Sequence, residues 1–287
     1  MMLTIGIPIY NEEKSIARSL KSILLQMSNE DEIIVVASGC TDNSVLEINK
    51  IGDKRIRVIE ERERKGKASA INIIVKEAKG DIIVQTDGDV SLDSNAIDNL
   101  IRHFSDPKIG GVSGNPIPVI PVNNLFYNWT IMSYRKIGEI REKENKVGTF
   151  WHMSGYLLAF RKIALTEVPF VKGAVDAWMG KIIRDNGYKI IYDKDAKVYV
   201  NAPLNIEDFI NQKARVRAGY AFMPKGPRTA GSEILYFPGE LLKVPILRWP
   251  DFITCAIVYA YCWIKGKYMA KKNKSLSEIW KTPTSTK

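Results

Sequence analysis

The chain has few cysteines and few histidines. Its 287 residues include three cysteines and two histidines. The cysteines Cys40, Cys255 and Cys262 are odd in number and lack the close spacing of metal ligands, which argues against a disulfide framework or a zinc site and predicts reduced, cytosolic thiols. Of the two histidines, His103 and His152, we predict that His152 is a core or loop residue; the alternative is that it approaches a site, because it directly precedes Met153 and Ser154-Gly155.

The sequence also lacks an apolar run long enough to cross a bilayer. Residues 252–264 are apolar almost throughout, but as a helix they would span about 20 Å, against about 30 Å of hydrocarbon. Five lysines follow between residues 265 and 274. This pattern is typical of a helix that lies in the membrane interface, and packing on the domain or on a second subunit is the alternative. No signal peptide is predicted, because polar residues follow the short run Leu3–Ile9 at once.

Acidic residues are in deficit. The chain has 42 Lys and Arg against 32 Asp and Glu, a formal net charge of +10. From Arg228 onward there are ten basic and four acidic residues, so this segment carries +6 of that charge. An anionic partner is therefore expected for the tail. We expect no nucleic acid, because the basic residues are not interleaved with aromatic ones as a base-stacking surface requires.

Strand-like and helix-like segments alternate through the first ninety residues. The strand-like runs are Leu3–Pro8, Glu32–Ala37, Ile56–Ile59 and Ile82–Thr86. Near-continuous Val and Ile runs separated by helices predict an α/β fold with a parallel sheet and helices on both faces. Ligands of such sheets bind at the carboxyl ends of the strands. The loops expected at that edge are Tyr10–Glu12, Ser38–Asp42, Arg62–Lys67 and Asp87–Asp89.

The second half of the chain is less regular. Pro116–Pro121 is proline-rich and follows a short predicted strand. The predicted strands are Gly110–Ser113, Phe150–His152, Tyr156–Phe160, Lys189–Tyr192 and Lys197–Val200, and the predicted helices are Ile97–Phe104, Asn124–Lys143, Val175–Asn186 and Asn205–Gly219.

Two aspartates follow the fourth strand with one glycine between them. Asp87 and Asp89 repel each other unless a positive charge lies near, and carboxylate oxygens are the ligands that Mg²⁺ and Mn²⁺ prefer. The sequence therefore predicts a divalent cation shared with a phosphate-bearing substrate. A solvated turn is the alternative, because Asp-Gly is a common turn dipeptide.

Lys67 lies at the predicted start of a helix, directly after Gly66. Glycine lets the backbone approach a ligand, and a helix N-terminus with a lysine favours an anion. The alternative is an exposed basic loop.

Taken together, these stretches resemble the family 2 glycosyltransferases, which have a GT-A fold. Five motifs follow in the family's order between residue 3 and about residue 220. Asp87–Asp89 matches the family's metal-binding Asp-x-Asp. The other similar segments are Pro8–Glu12 (Pro-x-Tyr-Asn-Glu), Gly39–Ser44 (Gly-Ser-Thr-Asp-x-Thr), Gly66–Asn72 (Gly-Lys-x-x-Ala-Leu-Asn), and Ser154-Gly155 with Phe160-Arg161 (Ser-Gly…Phe-Arg).

The resemblance implies a Rossmann-like GT-A domain at 1–224, with a mixed, mainly parallel sheet. The apolar run and the lysines beyond it predict a C-terminal amphipathic helical extension at 225–287, in contact with the membrane interface or with a second subunit. The resemblance also implies Mn²⁺ or Mg²⁺ on Asp87 and Asp89, and it implies Asp176 as the general base in a segment where Val175 replaces the family's usual glutamate. The implied donor-binding residues are Pro8, Tyr10, Asn11, Glu12, Ser38, Lys67, Asp87, Gly88, Asp89, Arg215 and Arg217, and the implied acceptor-side residues are Ser154, Gly155 and Gln212.

Two departures from the family pattern qualify these expectations. Gln212–Arg217 resembles the Gln-x-x-Arg-Trp motif of the membrane-associated branch, but Val216 replaces the tryptophan, which argues against processive synthesis. Ser38 stands where many members carry an aspartate that reads uracil. A nucleotide is therefore expected, with a UDP-sugar favoured but not fixed.

The expected function is metal-dependent, inverting transfer of a sugar from a nucleotide-diphospho-sugar to a hydroxyl acceptor. The acceptor is expected to be a glycan or a lipid-linked glycan. The enzyme is expected to be cytoplasmic and peripheral at the inner face of the cell membrane, which it would contact through its C-terminal extension. A homo-oligomer contact is the alternative role of that extension. The alternatives are a polyprenyl-phosphate glycosyltransferase, whose acceptor needs no strong base, and a non-catalytic binder of nucleotide-sugars or nucleic acid.

Overall fold

The structure is a computed structural model that describes residues 2–170, 174–221, 237–272 and 286. The chain divides into two compact units. The first comprises Met1–Ile117, Glu144–Phe170 and Val175–Val200, and the second comprises Pro118–Lys143, Val171–Ala174 and Asn201–Lys287. The boundary expected between residues 224 and 225 falls outside the described residues and stays a prediction.

The secondary structure alternates as expected in the first half of the chain. The strands are β1 (Leu3–Ile9), β2 (Glu32–Ser38), β3 (Ile56–Glu61), β4 (Ile82–Thr86), β5 (Val90–Leu92), β6 (Ile109–Val119), β7 (Leu157–Arg161) and β8 (Lys189–Asn201). The helices are α1 (Ile16–Leu24), α2 (Ser44–Asn49), α3 (Lys67–Glu77), α4 (Ala96–Ile101), α5 (Tyr127–Lys146), α6 (Val175–Asp185), α7 (Ile206–Ala221), α8 (Phe237–Leu241) and α9 (Trp249–Lys271). Short 3-10 turns lie at Arg102–Ser105, Lys162–Ala164 and Ile246–Arg248.

The strands form an eight-stranded sheet in the order β3-β2-β1-β4-β7-β6-β8-β5. The pairs β1–β2, β1–β4 and β2–β3 are parallel, whereas β4–β7, β6–β7 and β5–β8 are antiparallel. Apolar side chains such as Ile5 and Ile34 are fully buried, as in a parallel sheet that is covered on both faces. The predicted mixed α/β fold is confirmed, and the carboxyl ends of β1, β2, β3 and β4 meet at one edge.

Four predicted strands in the second half differ from the structure. The segment Phe150–His152 is not a strand. The strand predicted at Gly110–Ser113 is the start of the longer β6, which continues through Pro116 and Pro118. Its register with β7 ends at Ser113, so the prolines, which lack an N–H group, lie beyond the residues that pair with β7.

The two strands predicted at Lys189–Tyr192 and Lys197–Val200 form one continuous strand, β8. The polar residues between them are tolerated because both oxygens of the buried Asp193 carboxylate accept hydrogen bonds. It accepts hydrogen bonds from Arg102 at 2.7 Å and from the backbone N–H of Asp195 at 2.8 Å. A buried acid with such partners does not break a strand.

The second unit is built from α7, α8, α9 and most of α5. Its apolar core includes Trp129 and Phe252, whose ring centroids are 5.4 Å apart. The Cβ that an alanine would carry at Gly266 of α9 would lie 2.7 Å from the Cβ of Arg217, so glycine allows α7 and α9 to approach closely. Within the described residues, no helix is long and apolar enough to span a bilayer.

Candidate active site

The loops after β1 and β2 are joined by side-chain hydrogen bonds. Asn11 has a left-handed backbone (φ 55°), and its Oδ1 accepts the N–H of Thr41 at 2.8 Å. The N–H of Glu12 donates to Ser44 Oγ at 2.6 Å. The predicted donor-side residues Asn11 and Glu12 therefore position the rim of the site through these bonds. Pro8 lies just below them, in register with Val36 in the β1–β2 pair.

Gly88 occupies a position without room for a side chain. A Cβ at Gly88 would lie 2.7 Å from Ile9 and 3.4 Å from Glu12. This contact brings the turn between Asp87 and Asp89 against the end of β1. The glycine of the triplet thus permits close packing, which the sequence alone could not distinguish from a common Asp-Gly turn.

Lys67 begins α3 and reaches across to the end of β4. Its Nζ lies 2.6 Å from Asp87 Oδ1 and donates to the carbonyl of Gly155 at 3.3 Å. Burial lowers the pKa of Lys67, but the carboxylates of Asp87, Asp176 and Asp89 together outweigh it, so the pKa lies above its ordinary value. Lys67 is therefore a cation among three carboxylates. Lys67, predicted to bind the donor diphosphate, is thus in contact with Asp87, predicted to bind the metal.

Gly155 is the point at which the predicted donor side and acceptor side meet. A Cβ there would lie 3.2 Å from Lys67 Nζ and 3.4 Å from Asp176 Oδ2. Its carbonyl also accepts a hydrogen bond from the Gln85 side chain at 3.0 Å. The neighbouring Ser154 is buried, and its N–H donates to Ser113 Oγ at 2.9 Å. The Ser154-Gly155 turn is thus held by residues of β4 and of β6, the two strands that flank β7.

Asp176 is the second residue of α6, where an acid is favoured by the helix dipole. Its Oδ2 accepts the N–H of Gly155 at 3.2 Å and lies 4.0 Å from Nε2 of His152. The carboxyl group retains 24% exposure, whereas the imidazole retains 7%. The predicted base therefore lies beside the group that contains Lys67 and Asp87, within reach of an entering hydroxyl.

A stacked pair covers the outer part of the same edge. The guanidinium of Arg64 lies 3.8 Å from the ring centroid of Tyr10. Gly39 has φ +67°, and a Cβ there would lie 2.4 Å from the backbone N of Arg64, so the loop after β2 and the basic loop are in close contact. The buried Ser38 accepts a hydrogen bond from the N–H of Lys65 at 3.1 Å, so its hydroxyl oxygen already has one partner within the protein.

The remaining predicted site residues belong to the second unit. Gln212 is buried, and Arg215 lies on the same helix, α7. The Arg217 guanidinium stacks at 3.6 Å from the Trp263 ring centroid, and burial lowers its pKa. This stacking gives Arg217 a packing role between α7 and α9. The diphosphate role predicted for Arg215 and Arg217 stays a prediction.

The family resemblance implies a divalent cation, and the side chains at this edge supply only some of the ligands that such a cation requires. Within the described residues, no cluster of three or more His, Cys, Asp or Glu side chains forms a complete metal site. Asp87 and Asp89 offer hard oxygen atoms, and the Lys67 cation lies 2.6 Å from Asp87 Oδ1. This set suits Mg²⁺ or Mn²⁺, which retain water and take further ligands from substrate phosphates.

Three residues of this edge were not predicted from sequence. Gln85 was taken as part of an apolar strand, although a single amide in such a run is itself a signal, because buried amides require partners. His152 is a buried loop residue, as predicted, but its contact with Asp176 was not predicted. Arg64 carried no signal beyond its basic loop, because its stacking on Tyr10 depends on the fold.

The comparison with protein families identifies one match. The model described as Glycosyl transferase family 2 matches residues 4–168. This span contains β1 to β7 and most of the residues described above.

The curated relatives are longer than this chain. The chain is 28% identical over 225 residues to the poly-beta-1,6-N-acetyl-D-glucosamine synthase of Staphylococcus aureus (strain COL), covering 76% of this chain and 54% of that protein. It is 27% identical over 220 residues to the synthase of the same name from Staphylococcus epidermidis, covering 73% and 52%. The chain thus spans about half the length of these relatives.

Solved structures share the fold. The mannosyltransferase PcManGT from Pyrobaculum calidifontis, in complex with GDP-Man and Mn²⁺, aligns with TM-score 0.69 at 21% identity over 95% of this chain and 88% of that one. TarS 1-349 of S. aureus in complex with UDP-GlcNAc aligns with TM-score 0.53 at 16% identity over 96% and 93%. Glucosyl-3-phosphoglycerate synthase from Mycobacterium tuberculosis, with Mn²⁺, UDP and phosphoglyceric acid, aligns with TM-score 0.54 at 20% identity over 76% of each chain.

Proposed function

The chain belongs to glycosyl transferase family 2, and on that premise we propose that it transfers a sugar from a nucleotide-diphospho-sugar to a hydroxyl group, with inversion. The observation that carries the proposal is the convergence of Lys67, Asp87 and Asp176 on Gly155. An anion-binding cation and a carboxylate lie against one small residue, each within 3.4 Å of the position that a Cβ of Gly155 would take. Displacement at a single carbon uses both kinds of group near one point, because the cation stabilises the leaving group while the carboxylate activates the nucleophile.

The donor side is assigned to the edge at β1, β2 and β4. Solved neighbours hold GDP-Man or UDP-GlcNAc, which supports a nucleotide-sugar donor for this chain. We assign the base to the part of this edge that carries Tyr10 and Ser38, and the diphosphate to Lys67. Because the neighbours carry both guanine and uracil nucleotides, the UDP-sugar favoured by the sequence stays a prediction.

Asp87 and Asp89 would hold the divalent cation, and Mn²⁺ in two neighbours supports this assignment. When bound, the cation neutralises charge that develops on the departing diphosphate. Lys67 contributes to the same task, because its raised pKa keeps it protonated at neutral pH.

Asp176 is proposed to be the general base. The acceptor oxygen attacks the anomeric carbon, the bond from that carbon to the diphosphate oxygen breaks, and the acceptor proton moves to the Asp176 carboxylate. Within the described part of the chain, its contacts with Gly155 and His152 are made by Oδ2. The other oxygen, Oδ1, is the one assigned to the acceptor. The acceptor is proposed to be a glycan or a lipid-linked glycan.

A donor screen tests this proposal. Purified chain is incubated with UDP-, GDP- and dTDP-sugars in Mn²⁺, Mg²⁺ or EDTA, and released nucleoside diphosphate is measured. We expect one nucleotide class to turn over slowly to water or to an added acceptor in the presence of metal, and EDTA to abolish turnover. The proposal fails if no donor binds or turns over under any of these conditions.

A further inference from the structure

The helix α9 has two faces that differ in burial, although both are largely apolar. Five large exposed side chains lie on one face: Ile253 (40%), Ile257 (66%), Tyr261 (51%), Ile264 (69%) and Tyr268 (53%). Five buried residues lie on the other: Phe252, Cys255, Tyr259, Cys262 and Gly266. The exposed face is therefore not a continuation of the core.

The positions of these residues form two opposite stripes. At about 100° per residue, the exposed residues fall between about 0° and 80° when Ile253 is set to zero. On the same scale the buried residues fall between about 180° and 260°. The exposed stripe, from Ile253 to Tyr268, is about 22 Å long.

Lysines border the exposed stripe at its C-terminal end. On the same scale Lys267 lies at about 320°, Lys271 at about 0°, and Lys265 and Lys272 between about 100° and 120°. Lys272 places its Nζ 5.0 Å from the Tyr268 ring centroid, so the basic groups remain next to the apolar side chains. No aspartate or glutamate occurs from residue 252 to residue 272.

We propose that this exposed face of α9 docks on an anionic lipid surface, with the helix parallel to the surface. The stripe would enter the acyl boundary while the lysines contact phosphate headgroups, which is the division of roles expected for an interfacial helix. The proposal goes beyond sugar transfer and does not depend on it. It assigns the expected membrane contact to one helix face, where the sequence pattern indicated only a segment.

A second copy of the chain fits this face less well. It would bring the same row of lysines to the contact, and the only acid on α9, Asp251, already pairs with Arg248 at 3.2 Å. Anionic headgroups complement the row of lysines, whereas an identical face does not. Exposed Leu242, Ile246 and Leu247 directly precede α9 and add apolar side chains near its N-terminal end.

Vesicle flotation with the full chain tests the proposal. Vesicles of phosphatidylcholine alone are compared with vesicles that contain about 30 mol% phosphatidylglycerol. We expect the wild type to float with the anionic vesicles and the double variant Ile257→Asp/Ile264→Asp to lose at least about tenfold in partitioning. Ile163→Asp is the matched control, because Ile163 is as exposed as these residues (73%) and lies in the first unit.

Further measurements separate the alternatives. Lys267→Gln/Lys271→Gln should lower partitioning to anionic vesicles about tenfold and leave binding to phosphatidylcholine unchanged. Circular dichroism identifies folded variants, and Ile257→Ser/Ile264→Ser replaces the aspartate pair if that pair does not fold. The proposal is overturned if the wild type does not float, or if the double variant floats equally well. Loss of an oligomer in the double variant, with flotation unchanged, would also overturn it and assign the face to a second copy. Nucleotide-sugar binding measured without vesicles reports on the proposed catalytic function separately.

Discussion

The loop cluster around Lys67 and the α7–α9 pair are assembled from opposite kinds of side chain. In the first, charged groups from the start of α3, the start of α6 and the loop after β4 meet around Gly155. In the second, two helices bury one apolar face of α9 and leave another exposed. A few charged residues at the strand ends thus determine the chemistry of the site. Which face of an apolar helix is buried depends instead on which neighbouring elements pack against it.

The largest effect is expected at the acceptor side of the loop cluster. Asp176→Asn should lower kcat by about 10²- to 10⁴-fold with donor affinity unchanged, because the amide cannot accept the acceptor proton. Steady-state kinetics together with donor binding measures both quantities. Asp185→Asn is the control, since Asp185 is an exposed acid on the same helix. Unchanged kcat in Asp176→Asn would favour an acceptor that needs no base, such as a polyprenyl phosphate.

Gly155→Ala should lower kcat/KM by about 10- to 100-fold, because even a small displacement of catalytic groups is costly. Its Cβ would lie 3.2 Å from Lys67 and 3.4 Å from Asp176, so one of them must shift. Gly239→Ala serves as the control, since a Cβ there meets nothing within 4 Å. Wild-type kinetics in folded Gly155→Ala would show that the two groups do not act together.

In the α7–α9 pair, Gly266→Ala should destabilise the chain by about 1–3 kcal/mol through overpacking. The new Cβ would lie 2.7 Å from Arg217 and 2.8 Å from the carbonyl oxygen of Ala214. Urea unfolding, again with Gly239→Ala as control, measures this effect. Unchanged stability would contradict the close packing of α7 on α9, and a loss of donor binding with full stability would support the diphosphate role predicted for Arg217.

Thiol labelling of the native chain gives the smallest expected perturbation. Burial raises the pKa of Cys255 to about 12 and that of Cys262 to about 11. At pH 8 both thiols should remain protonated and unreactive, because a raised pKa depletes the thiolate. Cys40 alone, which is partly exposed, should react with a thiol reagent until urea is added. Rapid native labelling of all three cysteines would mean that this face of α9 is not buried.

The sequence predicted the first half of the fold because its strands are uniform Val and Ile runs with clear turn residues between them. It failed at β6 and β8, where long strands pass through Pro116, Pro118 and Asp193, and local propensity was overridden by pairing and by buried hydrogen bonds. The two prolines lie beyond the register with β7, and no local signal marks where that register ends.

The site could be predicted in part from residue type and spacing, as for Asp87 and Lys67, and in part from the family resemblance, as for Asp176, and the roles of these residues stay predictions. It could not be predicted where a contact joins segments that are distant in sequence. The proximity of His152 to Asp176 and the stacking of Arg64 on Tyr10 are of this kind. The two faces of α9 were likewise hidden, because nearly every residue from 252 to 264 is apolar and periodicity cannot separate a covered face from an open one.

Nucleotide binding to wild type and Lys67→Met tests the central claim most directly. Calorimetric titration of UDP and GDP with Mn²⁺ should give saturable binding of at least one nucleotide to the wild type. Lys67→Met should weaken that binding by about tenfold or more, because the cation that contacts Asp87 is also the one assigned to the diphosphate. Absence of binding to the wild type, or equal affinity in a folded Lys67→Met variant, would contradict the account.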